Sequence, residues 1–167
     1  MDEILFNGAS CPVVKQLGKG KGGYSWLVRR EGRLVVLKQI HHEPCAYYTF
    51  GDKLQSELDD YQRLVAAGIR VPELIDVDRA GERILKQYIE GPTIMELLEA
   101  GEDVTRYLPM VRHMARQAEA RGLNIDYYPT NFVVQGDALW YIDYECNTYM
   151  EEWSFDVWGV KQWRAAK

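Results

Sequence analysis

Near Asp52 the apolar residues of this chain change their period, and that change limits what the chain can build. Before it the pattern alternates and turns. Val13–Leu17, Tyr24–Arg29 and Leu34–Ile40 read as antiparallel strands, with Glu31-Gly32 as a hairpin turn. After it, Leu54, Leu58, Tyr61 and Val65 recur at helical spacing, and Gly68 stands where a C-terminal cap belongs. Short strands around Glu73–Val77 and Arg83–Gln87 then complete a five-stranded sheet carrying one helix. Glu90-Gly91-Pro92 breaks the pattern and reads as a hinge, so residues 1–90 and 91–167 form two lobes of one domain. Beyond it, Thr93-Ile94-Met95-Glu96 fits a capping box, and Asp103 caps a longer helix with the stripe Val104, Tyr107, Leu108, Val111, Ala115 and Ala118. A loop over Gly122–Thr130, strands at Phe132–Val134 and Leu139–Ile142, and a Trp-rich helix near Trp153–Trp163 end the chain. The expected class is α+β: a β-rich first lobe and a small, mainly helical second one.

Length and composition exclude several classes. With 167 residues, 47% apolar and 27% charged, the chain suits one globular domain with a core of its own. Its longest aliphatic run, Leu34-Val35-Val36-Leu37, is far too short to span a bilayer. Met1-Asp2-Glu3 is acidic, so a secretory signal is not expected. The three cysteines, Cys11, Cys45 and Cys146, lack metal-ligand spacing and suit free thiols in a reducing cytoplasm. A net charge of −5 argues against sequence-independent binding to nucleic acid. The charge is unevenly spread. Lys15, Lys19, Lys21, Arg29, Arg30, Arg33 and Lys38 lie between residues 15 and 40, and Asp143, Glu145, Glu151, Glu152 and Asp156 lie between 143 and 156.

Two groups of residues carry chemistry in the first half. Gly18, Gly20 and Gly23, with Gly22 beside them, lie between two strands, a context that disfavours a dinucleotide fingerprint; no Walker loop is present. Such glycines let backbone amides approach phosphate oxygens, and they equally serve a bare hairpin turn. Lys38 ends an aliphatic strand on the face of Val36. Glu57 falls on the inward stripe of its helix, where a lone carboxylate is costly, so it should meet a cation, and Lys38 is the natural one.

The second half holds Asn124-Ile125-Asp126-Tyr127-Tyr128-Pro129-Thr130-Asn131. Here one carboxylate, Asp126, can accept a proton while the Asn131 carbonyl oxygen serves a hard cation such as magnesium. The alternative is an Asx-turn loop in which both side chains satisfy the backbone. Asp143 follows a strand directly and offers a second oxygen ligand, with Glu145 near it. The histidines His41, His42 and His113 are left outside this chemistry, and the tryptophans Trp153, Trp158 and Trp163 are expected in the core.

Taken in order, these motifs resemble the protein kinase-like superfamily over residues 12–145. The resemblance implies a two-lobed ATP phosphotransferase. Gly18, Gly20, Gly22 and Gly23 would cover the phosphates, and the Lys38–Glu57 pair would orient the lysine. Asp126 would be the base, Asn131 and Asp143 the magnesium ligands, and Gln87 to Ile89 the segment that reads adenine. The Asp143-Tyr144-Glu145 form of the metal motif is similar to that of aminoglycoside phosphotransferases. Asn124-Ile125 replace the usual His-Arg, Tyr128 a lysine, Ser25 a valine and Lys86 an apolar residue; no Ala-Pro-Glu follows Asp143. The function implied is transfer from Mg-ATP to a hydroxyl, first of all as an atypical serine/threonine protein kinase. The alternatives are a small-molecule phosphotransferase and a nucleotide-binding pseudokinase acting as a scaffold or switch.

Overall fold

The computed structural model describes residues 2–19, 23–41 and 52–164. Gly20, Gly22, His42 and Cys45 lie outside them. The chain divides into two compact units, Met1–Glu57 with Glu73–Tyr88, and Leu58–Pro72 with Ile89–Lys167. The boundary near residue 90 thus falls at Tyr88/Ile89, and residues 58–72 pack with the second unit.

The first unit is built on one antiparallel sheet. Its strands are β1 (Glu3–Phe6), β2 (Ala9–Lys19), β3 (Gly23–Arg30), β4 (Arg33–Ile40), β5 (Leu74–Asp78) and β6 (Arg83–Gln87), in the order β1-β2-β3-β4-β6-β5. The sheet has six strands, not five. The additional strand β1 pairs with β2 through the turn Asn7-Gly8, where both residues have positive φ (49° and 80°). Asn-Gly between alternating apolar residues is the strongest local hairpin signal, and Ile4 and Phe6 do alternate inward. The Glu31-Gly32 turn between β3 and β4 uses the same chemistry (φ 53° and 75°). Ile4, Phe6, Cys11, Val28, Val35, Leu37 and Leu85 fill the core behind the sheet. The opposite face, set by the β3–β4 and β4–β6 register, carries Ser25, Leu27, Val36, Lys38, Ile84 and Lys86.

Helix α1 (Lys53–Ala66) follows β4 in the chain order. Asp52 caps its start by accepting the Gln55 N–H at 2.9 Å. Lys53 is buried and donates its Nζ to the His41 carbonyl (2.7 Å), which pins the first turn to the end of β4. At the other end Gly68 (φ 81°) receives the chain with Gly68 N–H to Val65 O and Ile69 N–H to Leu64 O, a Schellman closure. The inward stripe is Leu54, Glu57, Leu58 and Leu64; Val65, expected on it, is 48% exposed because it lies one residue round the helix.

The second unit mixes helix and strand, where a mainly helical lobe was expected. Helix α2 (Ile94–Glu99) opens with the capping box, Glu96 N–H to Thr93 Oγ1 and Thr93 N–H to Glu96 Oε1, both 3.0 Å. Asp103 accepts the Thr105 N–H at 2.9 Å, a 3₁₀ turn spans Thr105–Tyr107, and α3 (Leu108–Glu119) follows with Val111, Met114, Ala115 and Ala118 buried. Two small sheets then appear. Strands β8 (Phe132–Gln135) and β9 (Ala138–Tyr141) form one hairpin, while β7 (Leu123–Ile125) pairs with β10 (Cys146–Thr148). The span expected as a plain loop therefore begins as a strand. The expected Trp-rich helix is instead a 3₁₀ turn (Glu151–Trp153), a π turn (Phe155–Gly159) and the short α4 (Val160–Gln162). Trp163 is in the core, but Trp153 is half exposed, correcting its placement there.

Candidate active site

In the first unit the chemistry gathers on the face of β4 away from the sheet core. Lys38 Nζ lies 2.7 Å from Glu57 Oε1, with the two side chains 13% and 10% exposed. Sheet alternation puts the lysine on that face, and the helical stripe puts the carboxylate opposite it. A pair so withdrawn from water exists only because each charge answers the other. Glu57 Oε2 is also buried and accepts no hydrogen bond among the described residues.

The glycines differ in what they do. A Cβ on Gly23 would come within 2.3 Å of the Gln39 carbonyl oxygen and 3.2 Å of Lys38 Cε, so glycine is what lets β3 begin against β4 at the lysine. Gly18 sits beside a register shift in β2, opposite Ser25, and its Cβ position faces open space. Lys86, on the same face as Lys38, is 6% exposed, a buried cation where an apolar side chain was expected. The Gln87 N–H is committed to the Glu73 carbonyl (2.9 Å), and its side chain accepts the Glu73 N–H. Ile89, buried, begins the second unit.

In the second unit, β7 delivers the chain to Asp126 and β8 receives it after Asn131, with a 3₁₀ turn at Pro129–Asn131 between. Asp126 Oδ1 accepts the Tyr128 N–H (3.1 Å), and Asn131 Nδ2 donates to the Asp126 carbonyl (3.3 Å). The Asx-turn alternative is thus real, yet it uses one polar atom of each side chain. The other carboxylate oxygen of Asp126 and the Oδ1 of Asn131 are the atoms suited to proton and cation chemistry. Ile142 N–H donates to the Asn131 carbonyl (2.9 Å), which registers the residue before Asp143 against the same loop. Tyr144, just after Asp143, is buried, and its hydroxyl donates to the Pro72 carbonyl.

Two residues unmarked in the sequence brace this loop. The Tyr141 hydroxyl accepts the Asp126 N–H (3.1 Å) and donates to the Glu145 carbonyl (2.8 Å). Complete burial, and then the charge of Asp143 near it, hold this phenol well above its usual range, so it stays protonated and able to donate. Nothing local marks it out, since its seat two residues before Asp143 is an ordinary inward-facing strand position. Trp163 Nε1 donates to the Tyr127 carbonyl (2.8 Å), while its ring meets Phe132 and Phe155 edge-on.

Oxygen donors from an asparagine amide and a carboxylate fit magnesium, which takes one or two protein ligands and completes its shell from phosphate and water. Among the described residues no group of three or more His, Cys, Asp or Glu side chains is gathered to hold a metal unaided. Also among them, no helix is long and apolar enough to cross a membrane. A comparison with known protein families finds no matching family model, and a comparison with curated proteins finds no match.

Proposed function

We propose that this chain is an ATP-dependent phosphotransferase of protein kinase-like fold, moving the γ-phosphate of Mg-ATP to the hydroxyl of a serine or threonine in a protein. The observation that carries this reading is the buried Lys38–Glu57 pair at 2.7 Å, a lysine oriented by a helix carboxylate on a sheet face beside Gly23. An ordinary surface lysine has no need of such a partner. Phosphoryl transfer does need a positioned cation for the phosphates, because its catalysis is mostly orientation and charge neutralisation.

In this reading Lys38 holds the α- and β-phosphates, and the backbone amides of the glycine-rich residues 18–23 cover them. Gln87 and Ile89 border the adenine. Asn131 and Asp143 hold magnesium, which when bound neutralises charge on the phosphates. Asp126 takes the proton of the acceptor hydroxyl as its oxygen bonds to the γ-phosphorus and the bond to the bridging oxygen breaks, releasing ADP. Tyr141 and Asn131 keep Asp126 in place through its own backbone. Buried, unpaired Cys11 and Cys146 suit a cytoplasmic setting.

Asp126→Asn separates binding from transfer. ATP affinity should stay within a few-fold while turnover of radiolabelled ATP falls by orders of magnitude; equal rates would remove Asp126 as the base. One observation favours a second reading, a nucleotide-binding scaffold without turnover: the buried Lys86 where the nucleotide would require an apolar neighbour. It predicts no turnover in the unsubstituted chain either.

A further inference from the structure

Residues 149–157 present a surface that folding has not used. Among the described residues nine large apolar side chains are exposed, and four fall in this short stretch: Tyr149 (37%), Met150 (49%), Trp153 (50%) and Val157 (43%). Their neighbours Ser154, Phe155 and Gly159 are buried, so the segment is firmly seated and turns these side chains outward. Trp153 is also held in place, its ring meeting Trp158 edge-on with centroids 5.6 Å apart. A tryptophan already fixed, with half its surface in water, is the type of residue that anchors protein interfaces, because little freedom remains to be lost on contact.

The charge within the stretch has one sign. Glu151, Glu152 and Asp156 are exposed within the same stretch, which contains no lysine, arginine or histidine. Desolvation, and then the charges of Glu119, Glu151 and Asp156, raise the Tyr149 phenol above its ordinary value. Among the described residues no cation pairs with Glu151 or Glu152. Asp156 does have one, and its manner is informative. Arg112 Nε lies 3.4 Å from Asp156 Oδ1, while the guanidinium sits over the Phe155 ring at 5.6 Å. The surface already takes up one guanidinium by carboxylate and aromatic face together. Trp153 and Tyr149 with Glu151 and Glu152 offer the same two elements without an occupant from this chain.

We infer that residues 149–157 form the docking surface for a cationic, amphipathic segment of a protein partner, whose arginines or lysines meet Glu151 and Glu152 and whose apolar side chains cover Met150, Trp153 and Val157. Charge complementarity selects this occupant: an anionic membrane or a nucleic acid would meet Glu151 and Glu152, carboxylates with no cation paired to them among the described residues. The inference does not depend on phosphotransfer, since its test reads binding alone.

The test uses the full chain and a fluorescently labelled synthetic peptide alternating arginine and leucine, with anisotropy as the readout. Binding should weaken as salt is raised and be absent for a peptide with glutamate in place of arginine. Met150→Ala/Trp153→Ala should reduce affinity at least about tenfold, and Glu151→Gln/Glu152→Gln should reduce it and flatten the salt dependence. Unchanged affinity in both variants overturns the proposal. So does equal binding of a peptide with serine in place of arginine. Sedimentation of the chain alone gives the remaining outcome: a dimer lost on Trp153→Ala assigns the surface to a second copy and overturns the partner segment. If the alanine variant fails to fold, the glutamine variant, altered only at exposed positions, decides the matter by itself.

Discussion

Lys38 and Glu57 show what burial does to the meaning of a residue. On the surface their contact would contribute almost nothing to stability; withdrawn to 13% and 10% exposure it becomes an obligation on both partners. Glu57→Gln removes the charge that answers Lys38 at 2.7 Å and should destabilise the fold by about 3 kcal/mol, the low end for a buried pair that keeps some contact with water. Lys38→Met/Glu57→Met removes both charges and should cost less than Glu57→Gln alone, as measured by urea unfolding. A double substitution more damaging than the single one would show that packing, and not charge, holds the pair. The pair was legible in the sequence because two independent periods, alternation in a strand and a stripe on a helix, aim both residues inward. Tyr141 was not legible, because nothing in the local pattern tells a core tyrosine from one whose hydroxyl clasps the Asp126 backbone.

Elements were readable where their signals are local. The Thr93–Glu96 box, the Glu31-Gly32 turn and β6 at Arg83–Gln87 stand as the residues indicate. Strand β1 had its Asn7-Gly8 signal too, and Asp78 holds its turn by accepting the Asn7 N–H at 2.8 Å, while also accepting the Gly81 N–H at 2.9 Å. These donors hold the Asp78 carboxyl below its ordinary 3.8. Because the folded value is the lower one, the stabilisation is present above pH 3.8 and is lost as pH falls through the depressed value. Asp78→Asn should therefore lower stability at neutral pH and flatten its decline in acid; thermal melts from neutral pH downward check it, and parallel curves would contradict it. The β7–β10 pairing had no such signal. Three-residue strands are too short to alternate, and the partner of Asn124 is Asn147. The last tryptophans gave composition without direction, so the packing that settles them came only with the fold. There Gly159 allows close approach: a Cβ would meet Tyr127 Cβ at 2.7 Å and Phe155 Cδ1 at 2.8 Å. Gly159→Ala should cost about 1–3 kcal/mol by overpacking the support of the Asp126 loop, read as a lower unfolding midpoint with the same denaturant slope.

At the scale of the molecule, the chemistry is divided between the two units. The first holds Lys38, Glu57 and Gly23, and the second holds Asp126, Asn131 and Asp143, the residues to which the proposal gives the roles of base and oxygen ligands, in keeping with basic residues at 15–40 and acidic residues at 143–156. The proposed phosphotransfer draws on residues of both. The α+β class, five strands of the first sheet and the β8–β9 hairpin were legible because they follow from period and turn residues; the rest of the second unit's strand content was not, because β7 and β10 are short and pair across the intervening hairpin. The measurement that bears most directly on the account is a calorimetric titration of the chain with ATP, with and without magnesium. The account predicts magnesium-dependent binding, a matching stabilisation of about 2.7 kcal/mol at a hundredfold excess over Kd, and loss of the magnesium dependence in Asp143→Ala. Binding indifferent to magnesium, or none at millimolar nucleotide, would contradict it.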